Sequence, residues 1–225
     1  MSLDVHLLLL VWGTLVGLDL VSVPQVMIAR PIVAGPIAGA ILGDMRAGLA
    51  VGVLFELFQY DVLPMGAARY PEYGPATVGA VSAAHAAAGA AGIGLGALVG
   101  LITGMLGGAS LVVLRRLNAD AVRAAAGPLE AGDTRVLMRV HVMGIARDAL
   151  RAAVVTAVGL ALAEVVRRFV AGALSVRGVT LLGVAAVAAA LATASAGTLR
   201  VVGRGPSLPW FVAGALGGAA LAWLR

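Results

Sequence analysis

The chain has 225 residues, 61% of them hydrophobic and 12% charged, with a mean hydropathy of +1.02. That charge is too sparse to cover a soluble domain of this length, and no polar stretch is long enough for a separate one, so the composition reads as a polytopic membrane protein. The lack of cysteine excludes disulfides, a thiolate metal site and a cysteine nucleophile, and a basic complement of 16 arginines without lysine excludes a Schiff-base or Walker-type lysine.

The net charge of +5 is assigned to arginines flanking membrane spans on the cytoplasmic side, not to nucleic-acid binding. The opening MSLDVHLLLL lacks the basic n-region and small-residue cleavage site of a secretory signal, and is read as the first structural segment. The first apolar run, from Val5 to about Ala29, is interrupted by Asp19 and by Pro24-Gln25. Arg30-Pro31 then punctuates the chain, because a residue before proline avoids the helical region. A second run, Ile32 to Gly43, covers only about half of the hydrocarbon core at about 1.5 Å per residue, so a half-helix or re-entrant segment is expected. Gly43-Asp44 ends it, with Asp44 expected as a helix cap. The third run, Ala47 to Leu63, carries Glu56 and Asp61.

The stretch PMGAARYPEYGP, Pro64 to Pro75, is a loop rich in chemistry, in which Tyr70 and Tyr73 are candidate membrane-interface anchors. Ala76 to Leu114 is expected to hold two spans joined by a tight turn near Gly89 to Gly94, with His85 in a packing role. Arg115 to Arg151 is the one long polar region, with arginines at 115, 116, 123, 135, 139, 147 and 151. It is expected to be a basic cytoplasmic loop, in part surface helix, because Arg135/Arg139 and Arg147/Arg151 are i, i+4 pairs; His141 within it is expected to be solvated. Three further apolar segments follow, at about 152–166, 178–199 and 207–224. Arginines 200 and 204 fall on the same side as this loop, whereas 167, 168, 177 and 225 fall opposite, so the orientation carries an internal conflict. The fold class is an all-α polytopic membrane protein, with transmembrane helices plus broken or re-entrant half-helices in the N-terminal third.

Asp19, Gln25, Arg30, Asp44, Glu56, Asp61, Arg69 and Glu72 all lie in that first third, among many glycines and prolines. A carboxylate in hydrocarbon costs several kcal/mol, by rough estimate, and is normally paired, faces a cavity or is functional. Unwound backbone is tolerated in a membrane only where protein or a water-filled cavity satisfies it, and discontinuous helices place their ends beside a substrate. Such a lining suits a sugar: carboxylates and amides meet hydroxyls, and Phe55, Phe58 and Tyr60 are candidates to stack on the ring. Asp19 and Arg30 are a candidate ion pair holding two segments together. Glu56 is the hardest to explain structurally, since it sits mid-run with Gly48 and Gly52 on the same helical face.

RPIVAGPIAGAILGD (30–44), GLAVGVLFEL (48–57) and MGAARYPEYGPA (65–76) together resemble the membrane-embedded IIC component of the mannose/fructose/sorbose family of phosphoenolpyruvate-dependent sugar phosphotransferase systems (PTS). The matching elements are Arg30 to Gly35, Gly43-Asp44, Gly48, Gly52, Glu56-Leu57, Gly66-Ala67 and Pro71-Glu72; Ala68, Arg69 and Tyr70 depart from the serine and apolar residues frequent there. The resemblance implies one membrane-embedded permease domain over 1–225, with 1–80 as its broken-helix region, in the bacterial cytoplasmic membrane. It implies a subunit that binds and translocates a hexose-type sugar with a second membrane subunit, IID, while soluble IIA and IIB phosphocarriers supply the phosphoryl group from a phosphohistidine. An oligomer of IIC–IID units is the expected assembly. Asp19, Gln25, Arg30, Glu56, Asp61, Gly66 and Arg69 are the candidate sugar-contacting residues. No catalytic residue, metal or cofactor is expected in this chain. Two other readings remain open: a stand-alone secondary transporter using Glu56 and Asp19 as proton or sodium sites, and a non-transporting regulatory remnant. An intramembrane protease dyad of Ser82 and His85 lacks the Gly-x-Ser-x-Gly element and suitable geometry.

Overall fold

The computed structural model describes residues 2–60, 62, 68–170, 173, 175–202, 209 and 213, with backbone alone at 170 and 197–202. All regular structure among them is helical: α1 (Leu3–Asp19), α2 (Pro31–Ile41), α3 (Met45–Gln59), α4 (Tyr73–Ala84), α5 (Gly89–Ala124), α6 (Ala126–Glu130), α7 (Thr134–Val165) and α8 (Val176–Val202). One π-helical turn, Val166–Val170, prolongs α7.

The helix boundaries follow from residue chemistry. Ser2 caps α1, its hydroxyl accepting from the Val5 N–H. Pro31 opens α2 at a position whose N–H has no intrahelical partner. Two Gly-Asp pairs make the sharpest corners. Gly43 (φ +79°) and Gly132 (φ +77°) adopt the left-handed conformation that ends a helix. The following Asp44 and Asp133 then cap α3 and α7 by accepting from Ala47 N–H, and from Arg135 and Val136 N–H.

The α5 helix, the extended α7 helix (Thr134–Phe169) and α8 are long and apolar enough to cross a membrane. The N-terminal third is built differently. The α2 helix has 11 residues and α4 has 12, so each rises about half of a hydrocarbon core. The helices α2 and α3 form a re-entrant hairpin whose contact is made by glycine. A Cβ on Gly39 would come within 2.9 Å of Gly48 Cα, and one on Gly52 within 2.6 Å of the Pro31 carbonyl. Backbone against backbone is the geometry that small residues permit between membrane helices. All 12 residues of α4 are buried, and it packs against α1, α2, α3, α5 and α7. It is the central peg of the structure.

Two expectations are corrected. The 76–114 tract holds two helices joined by a tight turn, but not two full spans: α4 stops at Ala84, the turn is at 85–88, ahead of the expected 89–94, and of the two only α5 is long enough to cross a membrane. An alanine-rich run gives no stop signal of its own, and His85 is an exposed cap, not a packed side chain. The 115–151 region is not chiefly a loop. The α5 helix continues to Ala124 and α7 starts at Thr134, so the arginines decorate two helical extensions joined over 125–133. His141 is exposed on this hairpin. The apolar segment at 207–224 falls, apart from 209 and 213, outside the described residues.

Candidate functional site

The ends of α1 and α3 and the starts of α2 and α4 meet, and the polar residues of the N-terminal third gather there. Residues 20–30, between α1 and α2, are irregular. Asp19, at the end of α1 and only 3% exposed, organises this segment: its two carboxylate oxygens accept the N–H groups of Val26 (2.6 Å) and Ala29 (3.0 Å). Within this anchored segment Gln25 (φ 60°) and Met27 (φ 69°) take left-handed conformations unusual for non-glycine residues. Such strain costs about 1–3 kcal/mol per residue and persists only where the surroundings enforce it.

The candidate ion pair of Asp19 with Arg30 is not formed: the Asp19 oxygens are taken by backbone donors. The partner of Arg30 is Glu56, through Nη2 and Oε1. The other Glu56 oxygen accepts the Ile32 N–H at 3.2 Å. The glycine face explains this placement. Gly48 and Gly52 bring α3 against α2, and Glu56, one turn further along the same face, arrives at the N-terminus of α2. There an orphan N–H and the positive end of the helix dipole both favour a carboxylate. Glu56 therefore has a structural task as well as a place at the site.

Asp19, Leu20, Gln25, Met27, Ala29, Arg30 and Gln59 line a cavity of about 300 Å³. Three of the seven candidate residues thus share one cavity, with Glu56 held against Arg30. Arg69 does not join them: it lines a separate cavity of about 410 Å³ with Tyr70, Pro71, Met105, Gly108, Ala109 and Val112. Asp61 and Gly66 lie outside the described residues. The proposed stacking residues are also corrected. Phe55 and Phe58 are buried and form a triangle with Tyr73 at centroid separations of 5.4–6.1 Å, whereas Tyr60 is exposed. Their apolar area is spent on the α3–α4 contact. Tyr70 and Tyr73 are likewise buried, not interfacial. The Tyr70 hydroxyl accepts from Arg115 Nη2 at 2.9 Å, and the same guanidinium lies 5.4 Å from the ring centroid.

Two features escaped sequence reasoning. Gln59, 7% exposed, has no hydrogen-bond partner for its amide among the described residues, although it lines the cavity. Its only sequence signal is a lone amide near the end of an apolar run. The second feature is a buried ionic network. Arg151 reaches both oxygens of Glu72 (2.5 and 2.9 Å), Asp148 Oδ1 (2.8 Å) and Ser110 Oγ (3.2 Å), and the Ser22 hydroxyl donates to Asp148 Oδ2 (2.5 Å). Glu72 and Asp148 are fully buried. Arg151 is thus not a surface partner of Arg147, whose guanidinium donates to Asn118 instead. Through Ser22 the network ties the irregular 20–30 segment to α7. Among the described residues no group of three or more His, Asp or Glu is arranged to hold a metal ion.

A family model described as "PTS system sorbose-specific iic component" matches residues 5–220. Over 125 residues the chain is 26% identical to the PTS system mannose-specific EIIC component of Escherichia coli K12, covering 56% of this chain and 46% of that protein. It is 26% identical over 152 residues to the sorbose-specific EIIC component of Lacticaseibacillus casei, covering 68% and 54%. It is 27% identical over 127 residues to the fructose permease IIC component of Bacillus subtilis, covering 56% and 46%. The chain spans about half the length of the curated relatives it matches. Two solved structures share the fold at 19% identity, each covering 97% of this chain and 87% of the other. One, described as "Structure of membrane protein", gives a TM-score of 0.70; the other, the mannose transporter ManYZ in complex with microcin E492, gives 0.54.

Proposed function

The chain belongs to the PTS sorbose-specific IIC family, and from that premise we propose that it is the sugar-binding membrane subunit of a phosphotransferase permease in the bacterial cytoplasmic membrane. It takes a hexose-type sugar into the cavity formed where the half-helices meet and delivers it to the cytoplasmic face. There a soluble IIB subunit carrying a phosphohistidine, itself recharged by IIA, phosphorylates the sugar, and a IID chain forms the second half of the membrane unit. Asp19, Gln25, Arg30 and Glu56 build the binding site. The basic extensions of α5 and α7 face the soluble subunits.

The observation that carries this reading is that the charged groups of the cavity already have partners. Glu56 pairs with Arg30, and backbone N–H groups occupy both oxygens of Asp19. Hydroxyls of a neutral polyol can join such hydrogen bonds without bringing a further charge. For the same reason the proton- or sodium-site reading gains no support, since both carboxylates already have donors. The chain needs no nucleophile of its own: its contribution is to hold a hydroxyl in line with the partner's phosphohistidine, a positioning role. Phosphorylation then makes entry irreversible, because a charged phosphosugar does not recross hydrocarbon.

Mild-detergent affinity purification from native membranes, with mass spectrometry of the co-purifying chains, tests the assignment. The expected result is one stoichiometric second membrane subunit, and phosphoenolpyruvate-dependent uptake of sugar by vesicles containing the pair. Recovery of this chain alone, with pH-driven uptake independent of phosphoenolpyruvate, overturns it.

A further inference from the structure

Gln59 is a largely buried polar side chain that lines a cavity. It ends α3, it is 7% exposed, and its amide lacks a hydrogen-bond partner among the described residues. Gln59 lines the cavity of about 300 Å³ together with Gln25 and Arg30, and also a crevice of about 10 Å³ with Tyr70, Pro71 and Tyr73. The crevice holds no more than about one water. The larger cavity lies at the small end of ligand sites, which run from about 300 to 1,000 Å³.

The charged groups around this cavity are already engaged, and Gln25, the other amide lining it, is exposed. Asp19 accepts two backbone N–H groups, and Arg30 is paired with Glu56. Among the described residues, Gln59 is the buried group there with both a free donor and a free acceptor. A carboxamide that can donate and accept at once matches a hydroxyl, which does the same. We infer that Gln59 is a specificity-determining substrate contact, hydrogen-bonding one particular hydroxyl of a single neutral monosaccharide ring. This rests on the sugar-binding reading above and extends it to a residue and a ligand size. A site built to bond a hydroxyl discriminates against analogues lacking it, because its own polar group is then left unpaired.

The test is equilibrium binding of radiolabelled D-mannose, D-fructose and L-sorbose to membrane vesicles containing the full chain, followed by the monodeoxy analogues of the sugar bound most tightly. Wild type is expected to lose about tenfold in affinity on removal of one hydroxyl, the scale of one neutral hydrogen bond. Gln59→Leu is expected to bind the parent sugar about tenfold more weakly and to lose discrimination at that hydroxyl alone. The isosteric Gln59→Glu, which keeps the acceptor and removes the donor, serves where Leu impairs insertion, and is expected to change preference at the same hydroxyl. Unaltered discrimination at every hydroxyl in both variants overturns the role of Gln59 while leaving the sugar site standing. Failure of wild-type vesicles to bind any of the three sugars overturns the sugar site itself, and the inference with it.

Discussion

The guanidinium of Arg151 forks onto the carboxylate of Glu72, a residue 79 positions away, with Nη1–Oε2 at 2.5 Å and Nη2–Oε1 at 2.9 Å. The pair joins the N-terminus of the central peg α4 to the middle of α7, and Nε of the same arginine holds Asp148. One cation therefore serves two buried carboxylates. Its geometry is bidentate, which lysine cannot reproduce.

That imbalance predicts an asymmetry between the partners. Arg151→Leu strands two buried carboxylates and is expected to cost about 3–5 kcal/mol. Glu72→Gln keeps the shape and leaves Arg151 with Asp148, so about 1–3 kcal/mol is expected. Thermal unfolding in detergent checks the ranking; a Glu72→Gln midpoint below that of Arg151→Leu contradicts the network as drawn.

The glycine contact between α2 and α3 makes a second prediction. Gly48→Ala places a methyl within 2.8 Å of Gly39 Cα, where no flexible side chain can yield. Overpacking of this kind costs about 1–3 kcal/mol, and the separation of the helices carries Glu56 away from Arg30 and Ile32. Gly127→Ala, with nothing within 4 Å, is the control and is expected to be silent. A Gly48→Ala protein as stable as the control refutes the backbone-to-backbone contact.

How much of this was legible depends on whether the cause is local. The chain breaks at Asp19, Pro31 and Gly43-Asp44 are written in caps and prolines, and each is where the sequence indicated. The spacing Gly48, Gly52, Glu56 correctly put the three residues on one face. Partners distant in sequence were not legible. Asp19 and Arg30 have complementary charges, but backbone N–H groups outcompete the arginine, and a side-chain pattern does not display backbone donors. Arg151 repeats the spacing of surface arginines, and only the tertiary arrangement sets Glu72 and Asp148 beside it. Phe55 and Phe58 have the chemistry of sugar-stacking residues and the positions of core residues, and packing took them.

Arg30 and Glu56 are predicted to behave as a unit. Arg30→Gln leaves Glu56 without its cation, and Glu56→Gln frees a guanidinium beside the cavity, so each single change is expected to cut sugar uptake at least tenfold while membrane insertion is retained. The double change removes both charges and is expected to recover part of the loss, giving a coupling energy of about 0.5–3 kcal/mol in a double-mutant cycle. Additive losses show two independent contacts in place of one neutralised pair.

The helical extensions of α5 and α7 give the last prediction. Arg135 and Arg139 are exposed on α7, one turn apart, before its apolar stretch begins. Neither has an ion-pair partner among the described residues, so reversing them breaks no internal contact of that kind. Arg147, bonded to Asn118, is a poorer probe because its loss also loosens the hairpin. Exposed charges act chiefly on the rate of encounter with a partner and on its salt dependence. The Arg135→Glu/Arg139→Glu protein is therefore expected to bind sugar normally, while phosphorylation of that sugar by the soluble subunits slows about tenfold at low salt. The gap should close as salt screens the wild-type attraction, over a Debye length of about 10 Å at 0.1 M. Phosphorylation rates equal to wild type at every salt concentration place the docking surface elsewhere.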